Sequence, residues 1–426
     1  MEAMEQRYFI QLLQRELIPA LGCTEPIAIA YAAAAGRRVL GGVPERVDAY
    51  VSGNIVKNVK CVVVPNSGGR RGIEVAVALG LAGGDDSRKL EVIAGVTDEH
   101  RRQMQRLLDD GVVHVELLDS EAALDIVLEL KRGPDTVRIR IAETHLNVVY
   151  LAKNGEVLVD SPAAAAESPA ETPLCAGKIL EFADTCPLEE VRPVLEYQIA
   201  CNKAISKEGL TNPWGASIGQ TIREGDDGVR ARAIAAAAAG SDARMNGCEL
   251  PVVINSGSGN QGITVCMPVV TYAEEIRAGE ERMLRALVVS NLLAICQKKQ
   301  IGSLSAYCGA VSAGCAAAAG VAYLSGLPHR LVLDTFSNGL DMVSGVVCDG
   351  ASASCAGKIA IGVFAGLMGM DMARKNRNIL PGDGIVGGSV DETIAHVGRV
   401  ARNGMKETDR EILHIMLHNC ERMEAV

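Results

Sequence analysis

The sequence predicts an α+β protein, with a small mixed α/β domain in its N-terminal part and a mostly α-helical domain in its C-terminal part. Three observations predict it. Between residues 41 and 160, short runs rich in Val, Ile and Leu are separated by turn residues. From residue 174 onward, nearly every segment carries apolar residues at helical spacing instead. Between the two lies Ser161-Pro-Ala-Ala-Ala-Ala-Glu-Ser-Pro-Ala-Glu-Thr-Pro173, whose Ala, Pro, Ser and Glu bias reads as a linker. The chain has 426 residues, enough for two sizeable cores. Aromatics make up only 3% of it while Ala and Gly abound, so the helices must pack backbone close to backbone.

Taken in order, residues 4–19 set Phe9, Ile10, Leu12, Leu13, Leu17 and Ile18 at a helical period. Leu21-Gly-Cys-Thr-Glu-Pro26 then interrupts the chain, with Thr24 the expected N-cap and Pro26 in the first turn of a helix running through Ala35. These helices, residues 1–40, are expected to pack back onto the C-terminal domain. Residues 41–160 make the α+β domain. Strands fit Val47–Val51, Cys61–Val64, Lys89–Ile93, Val112–Glu116, Ala123–Leu130, Val137–Ile141 and Leu146–Leu151, and helices fit Gly72–Ala82 and Asp98–Asp109. Asn154-Gly155 is a hairpin turn, because both residues tolerate positive φ. Residues 174–426 make the helical domain, with helices over 175–183, 187–206, 228–239, 262–277, 281–299, 304–320, 328–343, 352–368, 390–402 and 407–419.

The charge balance narrows the function classes. A net charge of −10 without a basic stripe argues against nucleic-acid binding. Met1–Ala20 carries Glu, Arg and Gln throughout, so no secretory signal is expected there. Ile301–Leu327 is uncharged and long enough to span a bilayer, but it is mostly Ala, Gly and Ser, and a buried helix with no membrane association is expected. Thirteen cysteines without a secretion signal point to the reducing cytoplasm. No CxxC pair occurs, which removes support for zinc-ribbon and thioredoxin-like readings.

The chemistry concentrates between Cys308 and Cys355. Cys308, Cys315, Cys348 and Cys355 sit among Gly, Ala and Ser, with few bulky side chains between them. Soft thiolates in a wall of small residues suit an iron–sulfur cluster. Cys308 and Cys315 are seven residues apart, and on one helix they would be separated by about 10 Å of rise, awkward for one cluster. Asp349-Gly350 reads as a turn, placing Cys355 in the first turn of a new helix, where the dipole favours a thiolate. Cys308, Cys348 and Cys355 are therefore the candidate ligands, and Cys315 is a packing cysteine. Spacing by itself leaves a cluster and a set of buried packing thiols as even alternatives.

Two glycine-rich loops echo each other. Pro65-Asn-Ser-Gly-Gly-Arg-Arg-Gly72 and Ile254-Asn-Ser-Gly-Ser-Gly-Asn-Gln-Gly262 each lead into an expected helix, offering N–H groups to an anion. Neither fits a nucleotide fingerprint, and loops without a ligand are an equal alternative. Cys23 lies just before a helix N-terminus, where a thiol pKa is expected to fall; a small buried residue at a junction is the alternative.

Cys308 followed by Cys348-Asp-Gly-Ala-Ser-Ala-Ser-Cys355-Ala-Gly-Lys-Ile-Ala resembles the C-terminal half of the L-cysteine desulfidase family, which is related to the alpha chain of bacterial iron–sulfur L-serine dehydratase. Gly22-Cys-Thr-Glu-Pro26, Ser52-Gly-Asn-Ile-Val-Lys-Asn58 and Asn255-Ser-Gly-Ser-Gly-Asn-Gln-Gly262 agree in the same order, so the resemblance covers nearly the whole chain. It implies a catalytic helical domain with a 4Fe–4S cluster on Cys308, Cys348 and Cys355. It also implies a β-elimination, independent of pyridoxal phosphate, that converts L-cysteine to sulfide, ammonia and pyruvate with the open iron as Lewis acid. Cys23 would serve the open site as base or as resting fourth ligand, and sequence does not separate those roles.

For the substrate carboxylate and ammonium the candidates are Asn255, Ser256, Ser258, Asn260 and Gln261, with Asn54, Lys57 and Asn66 weaker. Glu25 is a candidate base, although a first-turn Glu is often only a dipole partner. His145, between two strands, is a structural histidine or a substrate contact. Lys358 is a carboxylate ligand or a solvated lysine. The expected partner is a small amino acid, with homo-oligomerisation left open. L-serine dehydration at the same site is the runner-up. A pyridoxal phosphate lyase using Lys358 lacks a phosphate cradle, and a non-catalytic cluster-bearing sensor lacks a DNA-binding element.

Overall fold

Two short strands far apart in the chain join its beginning to its helical half. The computed structural model describes residues 1–120, 122–161, 174–302 and 304–423. Helix α1 (Ala3–Glu16) leads into β1 (Pro19–Leu21), which turns directly into α2 (Thr24–Leu40). The sheet region follows with β2 (Arg46–Val51), α3 (Gly53–Val59), α4 (Ile73–Gly83), α5 (Asp98–Asp109), β3 (Val113–Leu117), β4 (Asp125–Arg132), β5 (Asp135–Ala142), β6 (Val148–Lys153) and β7 (Glu156–Asp160). The helical region contains α6 (Ala176–Thr185), α7 (Leu188–Thr211), α8 (Ile218–Gly225), α9 (Val229–Met245), β8 (Pro251–Val253), α10 (Gly259–Glu275) and α11 (Glu280–Ile301). It closes with α12 (Gly309–Leu324), α13 (His329–Met342), α14 (Ser354–Arg374), α15 (Val390–Arg399), a π-helical turn at Val400–Gly404 and α16 (Lys406–Met423).

The expected α+β class is what the structure shows. Six strands form one mixed sheet in the order β3-β2-β4-β5-β6-β7, with β2 and β3 parallel and the other pairs antiparallel. Alternation in β5 sends Val137, Ile139 and Ile141 to the buried face, where α2 covers the sheet. Asn154 and Gly155 turn the β6–β7 hairpin with φ of 52° and 84°. Strand β1 pairs antiparallel with β8, Pro19 opposite Val253, and the Ile254 N–H donates to Ile18 O at 2.9 Å. That pairing sets Cys23 beside the loop that follows Val253. Helix α1 packs on α7 and α11, while α2 packs on α4, β4 and β5.

In the helical region α12 and α14 cross with their backbones touching. A Cβ added to Gly314 would lie 2.5 Å from the carbonyl carbon of Gly362, and one added to Gly362 would lie 2.7 Å from Val311 O. The small residues that dominate these helices exist for this approach. Cys315 is buried in the same crossing, its Sγ 3.0 Å from where a Gly339 Cβ would stand, so it is a packing residue.

Several local expectations are corrected. Cys61–Val64 makes only an isolated bridge, Val63 to Arg71, and residues 86–91 form a 3₁₀ helix capped by Asp85 instead of a strand. Leu90, Val92 and Ile93 are buried, so tertiary packing overrode the strand preference of a short Val- and Ile-containing segment. The N-cap of α2 is Cys23, because the Thr24 hydroxyl donates instead to Gly257 O at 2.9 Å. Helix α12 begins at Gly309, since residues 306–308 are held extended against 346–348. Ile301–Leu327 is accordingly broken into two helices, and the α12 part is buried. Among the described residues one helix, α14, is long and apolar enough to cross a membrane, and half of it is buried inside the protein. Of the expected linker Ser161–Pro173, residues 162–173 lie outside the described residues.

Gly→Ala inside a helix ordinarily gains up to about 1 kcal/mol. At Gly314 the new methyl meets backbone atoms that have no rotamer to yield, so Gly314→Ala is expected to lose about 1–3 kcal/mol net. Gly177→Ala in α6, where nothing lies within 4 Å, is expected to gain stability. Thermal unfolding of the two variants beside the parent chain checks the opposite signs.

Candidate active site

The three candidate cluster cysteines are brought to one place by a short bridge. Tyr307 and Val347 pair antiparallel, with the Cys308 N–H donating to Val346 O at 3.2 Å and the Cys348 N–H donating to Ala306 O at 2.6 Å. Cys308 then serves as N-cap of α12, and Cys355 occupies the first turn of α14. The turn between Cys348 and Cys355 rests on the end of α3. Gly350 has φ 97°, and a Cβ there would fall 2.2 Å from Lys57 O. All three thiols line one cavity of about 110 Å³, small beside the ~300–1,000 Å³ of larger ligand sites. Burial pushes the Cys308 thiol up to about 12, and Cys348 and Cys355 add to the rise.

The N-terminal motif meets the same cavity. The Cys23 Sγ–H donates to Glu25 Oε2 at 2.9 Å, and the Thr24 hydroxyl lies 3.2 Å from the same oxygen. His145 presents Nε2 at 3.9 Å from Glu25 Oε1, and that nitrogen is buried with no hydrogen-bond partner. Burial alone would raise the Glu25 pKa; the nearby His145 ring and the Cys23 hydrogen bond outweigh it and hold the carboxyl at about 2. Cys23 moves the other way. Burial and the Glu25 charge push its thiol well above the ordinary value, which corrects the expectation of a lowered pKa at this helix N-terminus.

The second glycine-rich loop supplies another part of the lining. Ser256, with φ 49°, Ser258, Asn260 and Gln261 all reach the cavity, and Ser258 caps α10 by accepting the Gln261 N–H at 3.4 Å. Asn255 stays behind the loop, fully buried. Its Nδ2 donates to Asn291 O at 3.2 Å and Oδ1 at 3.0 Å, and its Oδ1 accepts from the Ser256 hydroxyl at 3.0 Å, so it shapes the loop.

The remaining candidates lie outside the lining. Lys57 is buried and ion-paired with Asp409 of α16; Lys358 is paired with Asp349. Asn66 donates to Ile93 O at 2.9 Å on the first loop, and the Asn54 carbonyl accepts from Asn58 Nδ2 at 2.9 Å.

Sequence reasoning missed part of the lining, chiefly Arg244, Lys298, Asn58, Ser305 and Tyr307. The two cations lie on helices without a motif. An Arg closing the Ala-rich run of α9 was the available signal, because such a helix is buried on nearly every side. Burial pulls the Lys298 ammonium down to about 8, against the opposing effect of Cys348, Glu25 and Cys308.

The donor set tests which group could be held. Among the described residues no group of three or more His, Cys, Asp or Glu side chains converges closely enough for a single metal ion. Three thiols spread around one cavity suit a polynuclear cluster, whose bulk spans more space than one ion, and soft donors match its iron.

Residues 87–414 match the family model described as serine dehydratase alpha chain. The chain is 47% identical to a UPF0597 protein of Desulfitobacterium hafniense over 99% of both chains. It is 46% identical to one of Lachnoclostridium phytofermentans, over 96% of this chain and 99% of that one. It is 45% identical to one of Treponema denticola, over 96% of this chain and 97% of that one.

Glu25 carries a pH signature. Its folded pKa of about 2 lies below the ordinary 4.5, so its contribution is complete above pH 4.5 and is lost as pH falls toward 2. The gap corresponds to about 3 kcal/mol. The stability advantage of the parent chain over Glu25→Gln is therefore expected to shrink as pH falls through that window, read by urea unfolding. A difference independent of pH would show that the site does not hold Glu25 ionised.

Proposed function

The chain belongs to the serine dehydratase alpha chain family, and from that premise we propose that it is an amino-acid lyase releasing sulfide from L-cysteine. The observation that carries this reading is one small cavity gathering the Cys308, Cys348 and Cys355 thiols with the Cys23–Glu25–His145 group. Water and L-cysteine give sulfide, ammonia and pyruvate. The α-proton leaves with base assistance, the Cβ–S bond breaks, and the released 2-aminoacrylate hydrolyses.

Cys308, Cys348 and Cys355 would hold a 4Fe–4S cluster, which when bound supplies a Lewis acid for the leaving sulfur. His145, which lines the cavity, takes the α-proton on Nε2, a buried nitrogen without a hydrogen-bond partner, in the tautomer that keeps the other proton on Nδ1. Glu25, ionised 3.9 Å away, steadies the imidazolium that forms. Cys23 keeps its proton and orients the carboxylate through its hydrogen bond; as a buried thiol beside a negative charge it is a poor base. Ser256, Ser258 and Gln261 offer oxygens to the substrate ammonium, and Leu304, Ala310 and Ala351 keep water sparse.

The family description itself favours a second reading, water leaving from L-serine at the same groups. Anaerobic reconstitution followed by parallel assays of sulfide from L-cysteine and pyruvate from L-serine separates the two. Iron uptake that is lost in Cys348→Ala, with sulfide release, is the expected result. His145→Gln is expected to retain iron while kcat falls about 10²–10⁴-fold. Pyruvate from serine alone would move the assignment to dehydration. A protein that takes up no iron and turns over neither amino acid would sink both.

A further inference from the structure

Arg244 is a buried cation that the groups around it do not neutralise. It ends α9 with only 3% of its surface exposed and lines the cavity. Its Nη1 donates to Asn260 Oδ1 at 3.0 Å and touches Met245 Sδ at 4.0 Å; both acceptors are neutral. Its Nε is buried with no hydrogen-bond partner, and among the described residues no carboxylate forms an ion pair with it. The guanidinium lies against the bare backbone of Gly259, where an added Cβ would come within 2.3 Å of Nε.

Leaving a charge in such a place is costly unless an anion shares it. Glu25, the buried carboxylate of this cavity, is engaged by Cys23, Thr24 and the nearby His145. No carboxylate of the lining is left to pair with Arg244, so a bound carboxylate from outside the chain would complete it. Guanidinium suits a carboxylate, whose two oxygens match its fork of donors.

Resting on the amino-acid lyase reading, we infer that Arg244 anchors the α-carboxylate of the substrate, with Asn260 holding the guanidinium in place. This makes Arg244 the residue that restricts the site to free α-amino acids, excluding their amides and simple amines. The leaving group then projects toward whatever the thiols hold, because the opposite end of the molecule is fixed.

Equilibrium binding tests this apart from turnover, using L-alanine and L-alaninamide, which differ in the carboxylate and carry no leaving group. Calorimetry on the anaerobically reconstituted protein is expected to show L-alanine binding about 10–100-fold tighter than the amide, the range for hydrogen bonds to a charged group. Arg244→Gln is expected to erase that preference while iron content stays at the parent value and the thermal midpoint does not fall, and Arg244→Lys to restore part of the preference. Equal binding of acid and amide by the parent protein overturns the inference without any variant being needed, as does an equal loss of both in Arg244→Gln. The lyase reading fails separately: a retained acid preference without sulfide or pyruvate release leaves the anchor standing. Conversely, turnover of L-cysteine and L-cysteinamide at the same rate removes the anchor and leaves the lyase.

Discussion

The direct contact of two helix backbones at Gly314 and Gly362 is the constraint on which the rest of the structure depends. Helices α12 and α14 carry Cys308 and Cys355 at their N-terminal ends, so the distance between the helices sets the distance between the thiols. A chain with so few aromatics cannot wedge these helices apart with rings and must close the gap with hydrogen atoms and methyls. The same economy explains why Cys315, beside Gly314 at the crossing, is sealed among small residues while Cys308, Cys348 and Cys355 line the cavity. Bridge and crossing act together: Tyr307 against Val347 fixes Cys308 relative to Cys348, and the helix contact fixes both relative to Cys355.

Around this scaffold the cavity collects charges of both signs. Glu25 is ionised and hydrogen-bonded to a thiol, Arg244 is buried against a neutral amide, and Lys298 sits at the edge of its charged range. A core assembled for stability alone would give Arg244 a carboxylate partner or replace it with leucine. A guanidinium left without a carboxylate is a feature of a place prepared for a polar visitor, at the expense of folding free energy.

Much of the fold could be read in advance. The switch from short Val-rich runs to helical periodicity marked the sheet and the helices, and the hairpin at Asn154-Gly155 was legible because φ above zero demands those residue types. Lys89–Ile93 misled because three apolar residues among five do not distinguish a strand from a compact turn. At the site, cysteines among glycines and alanines announced themselves by composition. Arg244 and Lys298 did not, since a cation on a helix looks solvated until its neighbours on every side are known. Asn255 and Ser256 adjoin in sequence yet divide their labour, one buried in a hydrogen-bond chain to Asn291 and the other facing the cavity; only backbone direction decides between them.

The pairing of β1 with β8 also governs when the protein can exist as a working whole. Pro19 finds its partner at Val253, and the cavity is not closed until Cys355 has been made. At ribosomal speeds of about 5–20 residues per second, the first strand waits on the order of tens of seconds for its mate. Contacts of such long sequence separation make the site among the last parts to assemble, whereas the sheet of residues 46–160 can close on local hairpins first. The nascent chain therefore carries Cys23 unsheltered through most of its synthesis, and the reducing state of the surroundings during translation bears directly on how much of it matures.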